Sequence, residues 1–198
     1  MEDRTPGRSA VRSNQEKICV RAATFHDTLA VGQLIQAALP LSPSSTLNEG
    51  VIPHNAFITG SELLEGPMSG IEDLLIAEVD EEVAAIAHLK PKELVRSRHV
   101  ARLQLLIHPE VPRKQVEDAL MQSALERSAE RGLIKLVIDV AQPDLELAAL
   151  VERGQGWWSE RVRRGALRWR GSAVDVTTWA RWIRSPQEVV KKTEPERS

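Results

Sequence analysis

The stretch from residue 100 to residue 140 constrains the fold more than any other part of this 198-residue chain. Residues 100–107, VARLQLLI, alternate Leu103, Leu105 and Ile107 against Arg102 and Gln104, the period of a half-buried strand. His108-Pro109 closes it, because proline has no N–H to give to a sheet ladder. Residues 111–131 then place Val116, Ala119, Leu120, Ser123, Ala124 and Leu125 near one helical face, with Gly132 where a C-terminal cap belongs. Residues 133–140 are strongly apolar again. Strand, helix of this length and strand predict a right-handed crossover joining parallel neighbours.

The flanks are read the same way. Residues 18–23 suggest a first strand, and Thr24 caps a helix over 25–39, with Asp27 in the first turn where the helix dipole favours an acid. Pro40 ends it. Residues 41–70 hold Pro43, Pro53, Pro67 and several Ser and Gly, which predicts a long connection with room for one short helix, of the kind that forms lids or substrate walls. Residues 73–79 and 83–89 predict an antiparallel hairpin about Asp80-Glu81-Glu82. A second helix occupies 144–153 and stops at Gly154; residues 157–183 form two strands around Gly171-Ser172. The last alternates Val174, Val176, Thr178, Ala180 and Trp182 against Asp175, Thr177, Trp179 and Arg181.

A length of 198 residues with 42% hydrophobic content supports one domain, set at 17–184, between a disordered tail at 1–16 and a flexible charged tail at 185–198. The net charge of -2 exerts no general pull on nucleic acid or an anionic membrane. Cys19, the single cysteine, allows no disulfide within the chain and reads as a small buried apolar residue. No apolar run approaches the roughly 20 residues that span a bilayer, so a soluble, cytoplasmic protein is expected.

The order of elements resembles that of the GNAT superfamily of acyl-CoA N-acyltransferases, and three stretches carry the resemblance. Leu105-Leu106-Ile107-His108-Pro109-Glu110-Val111 is similar to the end of the family's fourth strand, L-x-V-x-P-x-Y. Val116 with Ala119-Leu120-Met121, ending at Glu130-Arg131-Gly132, looks like its third helix. Leu145 to Trp157, with Ala148 and Gly156-Trp157, resembles the segment N-x-x-A-x-x-L-Y-E-K-x-G-F. The resemblance implies an α/β (α+β) fold: a mixed, mostly antiparallel twisted sheet with a central parallel pair and flanking helices. It also implies acetyl-CoA or another acyl-CoA as donor and an amine as acceptor. The fourth strand would splay from its neighbour, leaving backbone groups at Leu105 and Ile107 for the pantetheine and acyl carbonyl. Amides in the turn into the next helix would hold the pyrophosphate.

The loop that would do so departs from the family's Q/R-x-x-G-x-G/A. Pro112 stands at the Gln/Arg position, Gln115 at the first glycine and Glu117 at the second, with Val116 between them. Glycine serves there because phosphate must approach the backbone closely. A carboxylate about 5 Å from a phosphate, at an effective dielectric near 20, would repel each unit charge by roughly 3 kcal/mol before water screens it. Glu117 otherwise reads as a solvated acid in the first helical turn. Arg113 and Lys114 either supply phosphate contacts in place of the amides or form an exposed basic pair.

The chain has no tyrosine, the family's frequent general acid; counting back from Gly156-Trp157 puts Glu152 at that position. Ala101 and Arg102 replace the acid often found on the fourth strand, which leaves Glu78, His108, His88 and His99 as substitute bases. No Cys/His cluster has metal-ligand spacing. Residues 157–170 interleave Trp and Arg as a single-strand nucleic-acid platform would, but with an acidic balance a solvated strand face is the favoured reading. Trp179 and Trp182 serve packing, an acceptor groove or a dimer contact. Two functions remain: an N-acyltransferase working by direct amine attack, and a non-catalytic GNAT-like scaffold acting as a regulatory or assembly partner of another protein.

Overall fold

The computed structural model describes residues 17–45 and 55–184. The expected tails at 1–16 and 185–198, and the middle of the long connection, lie outside the described residues. Along the chain come β1 (Ile18–Ala22), α1 (Thr28–Ala38), α2 (Ala56–Met68), β2 (Asp73–Val79), β3 (Glu82–Pro91) and β4 (Val100–Ile107). Then follow α3 (Arg113–Glu130), β5 (Lys135–Ala141), α4 (Leu145–Arg153), β6 (Trp157–Trp169) and β7 (Ser172–Trp182). The strands form one sheet in the order β1-β2-β3-β4-β5-β7-β6. Every pairing is antiparallel except β4 with β5, the two strands that the crossover sequence predicts.

Alternation along the strands separates two cores. Leu75, Ala87, Leu103 and Leu105 face α3 and α4, packing on Val116, Leu120, Leu147 and Leu150. Ile76, Ile86 and Leu106 face the opposite side, packing on Val31 and Ile35 of α1 and Leu64 of α2. Helices thus cover both sheet faces, as the apolar character of the central strands requires. Val174, Val176, Thr178 and Ala180 of β7 are buried in the predicted alternation. Both hairpins turn on two consecutive left-handed residues, Asp80 and Glu81 (φ 51° and 73°) and Arg170 and Gly171 (φ 47° and 86°), the backbone that matches strand twist.

Two expectations need correction. The connection after α1 contains a 13-residue helix, α2, in which the side chain of Asn55 accepts the N–H of Phe57 at 2.8 Å. A glycine from each helix makes the contact between α1 and α2: a Cβ on Gly60 would lie 1.9 Å from the Thr28 carbonyl oxygen, and one on Gly32 would lie 1.6 Å from that of Ala56. Cys19 is exposed, because β1 is an edge strand and Cys19 shares the outward parity of Arg21.

Candidate functional site

The central parallel pair opens partway along. β4 and β5 are in register only at Val100 with Lys135, Ala101 with Leu136 and Arg102 with Val137. Beyond that, β4 stays with β3 as far as Ile107, and β5 stays with β7 as far as Ala141. The resulting gap faces the start of α3 and the start of α4, and Leu105 and Ile107 line it.

The gap is filled from within the chain. The N–H of Gln142 turns to β7, donating to the Asp175 carbonyl at 2.9 Å, so the preceding N–H, that of Ala141, points to the side β4 has vacated. There it donates to the hydroxyl of Ser44 at 2.9 Å, and Ser44 is buried. Leu41 and Ser42 of the same segment close over Leu105 and Ile107. What remains is a cavity of about 50 Å³ at Arg113, Glu117 and Leu147, and one of about 10 Å³ beside Ser44 and Gln104. Together they have room for a few waters.

The start of α3 is closed electrostatically. Glu117 is buried, 3% exposed, and both carboxylate oxygens are taken: Arg113 Nε donates to Oε1 at 2.8 Å and Arg153 donates to Oε2 at 2.8 Å. Arg113 also pairs with Glu146 at 2.9 Å, and Arg153 with Asp118 at 3.4 Å. Glu117, more than any other neighbour, holds the pKa of Arg153 above its ordinary value. The expected solvated acid is therefore the centre of an ion-pair network. Arg113 and Arg153 are held by Glu117, Asp118 and Glu146, so neither guanidinium is free for an incoming diphosphate.

The other candidates are dispersed. Val116 is fully buried in the core, and Gln115 and Lys114 are exposed. Glu78 and His108 both line a separate open groove of about 1000 Å³ between α1 and the β2–β3 turn. There Arg21 donates to Glu78 at 2.6 Å and to both oxygens of Asp27 at 2.7 and 2.9 Å; this pairing, with help from Thr24, holds the Asp27 carboxyl down at about 2. His108 Nδ1 accepts the Glu110 N–H at 3.3 Å. His88 is buried with Nε2 2.6 Å from Glu72, and the backbone carbonyl of His99 receives the Ile134 N–H. Glu152 stands exposed near the end of α4, whereas Asp144 and Glu146 at its start line the cavity. The cavity thus gathers Leu105, Ile107, Arg113 and Glu117 and leaves Glu152, Glu78 and His108 outside. Sequence reasoning missed Ser44, which carried no pattern, and Arg153 and Glu146, whose role depends on α4 packing beside α3. Among the described residues no carboxylate, histidine and cysteine cluster could hold a metal, and no helix is long and apolar enough to cross a membrane.

No family model and no curated protein matches the sequence. Solved structures do match its shape. A GNAT-family acetyltransferase from Streptococcus pneumoniae superposes with a TM-score of 0.73 at 16% identity, over 85% of this chain and 100% of the other. The structure of yncA from Salmonella typhimurium with its cofactor acetyl-CoA gives 0.73 at 14% identity, over 85% and 95%. A ribosomal-protein-alanine N-acetyltransferase from Brucella melitensis gives 0.72 at 19% identity, over 83% and 99%. The chain has the fold of the GNAT N-acyltransferases: a seven-stranded, mostly antiparallel sheet with one parallel pair and helices on both faces.

Proposed function

We propose that this chain is a GNAT-fold protein without transferase activity, whose acyl-CoA site is sealed by its own side chains and which serves as a regulatory or assembly partner of another protein. The observation that carries this reading is Glu117, buried and paired on both oxygens to Arg113 and Arg153 at the turn where a pyrophosphate would seat. A diphosphate arriving there meets a carboxylate that already holds two of the three nearby cations. Separating them would strand a buried charge, which costs several kcal/mol. Ser44 adds to the seal by taking the Ala141 N–H inside the strand gap. The chain has no tyrosine, and Glu152 stands in solvent outside the cavity. For a protein contact, the closing strands offer Trp158 and Trp182, centroids 5.5 Å apart, with Lys135 over both rings. Aromatic surface of this kind is enriched at interfaces.

One observation favours a second reading. The divergence of β4 from β5 leaves backbone groups unpaired at Leu105 and Ile107, as direct transfer from acetyl-CoA or another acyl-CoA to an amine needs. An assay of thiol release from acetyl-CoA separates the two, with spermidine and an alanine-terminated peptide as acceptors. The sealed account expects no release above background and a thermal midpoint moved by less than about 1 °C at millimolar acetyl-CoA. Turnover that saturates with either acceptor establishes the transferase instead.

A further inference from the structure

A third concavity, about 400 Å³, runs along the outer side of α3 beside α4 to the ends of β6 and β7. It extends from Lys114 to Leu125, eleven positions and roughly 16 Å of helix. Arg181 lies at its lower end, paired across the sheet with Leu136 and Trp157, at the level where β4 and β5 are still in register. The groove shares no lining residue with the sealed cavity, and the Arg153–Glu117 ion pair stands between them. Its floor is apolar, formed by Met121, Leu125, Leu150 and Trp157. Gly154 makes room for that indole, since a Cβ there would lie 2.9 Å from Trp157 Cδ1.

The charges in the groove are unbalanced. Arg153 and Asp118 are engaged with each other and Arg153 with Glu117. The side chains of Lys114 and Arg181 have no hydrogen bond, ion pair or ring contact among the described residues. Arg181 is half-buried, and burial, with no carboxylate to offset it, lowers its pKa. A guanidinium withdrawn from water without a counter-ion is a cost the fold leaves uncompensated. Its planar fork matches carboxylate or phosphate oxygens. The volume falls in the range of small-ligand sites.

We infer that this groove binds a small anionic ligand with a flat apolar body, an aromatic carboxylate or phosphate, whose charged group pairs with Arg181 and whose ring lies on Trp157 and Leu150. Lys114 at the opposite end adds to the positive potential. The test uses 1-naphthyl phosphate and the full chain, followed by titration heat and by the indole N–H resonance of Trp157, identified with Trp157→Phe. Saturable binding is expected, with the shift centred on Trp157, and Arg181→Gln weakens it about tenfold or more. Lys114→Gln weakens it less. Because the Arg181 side chain has no partner to lose and is half-buried at a cost, its variant keeps or raises the wild-type thermal midpoint, so a loss of binding does not come from unfolding. Inorganic phosphate and 1-naphthol alone do not saturate in the same range. Absence of binding at millimolar probe overturns the inference, as do equal affinity in Arg181→Gln or shifts gathered on Trp158 and Trp182. Equally tight inorganic phosphate overturns the role given to the apolar floor.

Discussion

Glu117 carries the largest consequence of any single side chain. Its place on the buried face of α3 was legible, since Leu120, Met121 and Ala124 follow at three, four and seven positions and define the core stripe. Reading it as solvated overlooked that stripe, and no local pattern names Arg153, 36 residues away, as its partner. Glu117→Gln removes a charge-assisted bond from each of two arginines that can rehydrate at the surface, and is expected to lower stability by about 1–3 kcal/mol in a urea titration. No change would mean the network is dispensable. Asp27 supplies a pH prediction. Its folded pKa of about 2 lies below the ordinary 3.8, so its contribution is complete above roughly pH 4 and is lost as the pH falls toward 2. Asp27→Asn should remove about 2 kcal/mol at neutral pH and flatten the acid limb in that window, measured by thermal unfolding against pH.

At the level of elements, legibility followed local periodicity. The β4–α3–β5 unit and both hairpins were readable because alternation, helical spacing and turn residues agree within each segment. Helix α2 was not, because Gly60, Gly66 and Pro67 are breakers by propensity, and the purpose of Gly60 emerges only when α1 packs across it. Gly60→Ala drives a methyl into the Thr28 carbonyl, which neither backbone can avoid without the helices moving apart. The expected loss is about 1–3 kcal/mol by denaturant unfolding. A neutral outcome would show that α1 and α2 are packed loosely. The gap between β4 and β5 was expected from resemblance alone, since nothing in either strand's residues announces where pairing stops.

For the molecule as a whole, the order of elements conveys the fold, while closure of the site depends on groups far apart in sequence. Ser44 reaches Ala141 across 97 positions, and the Arg113–Glu117–Arg153 row joins two helices. Such contacts leave no periodic trace, so the site's residues could be listed from sequence but its occupancy by the chain itself could not. A fold shared with acetyltransferases does not settle activity, which resides in the groups at the site. The central claim is that the site is closed to acyl-CoA, and calorimetric titration of the wild-type chain with acetyl-CoA tests it most directly. The account predicts no heat beyond dilution up to millimolar ligand; a saturable isotherm with micromolar affinity would contradict it.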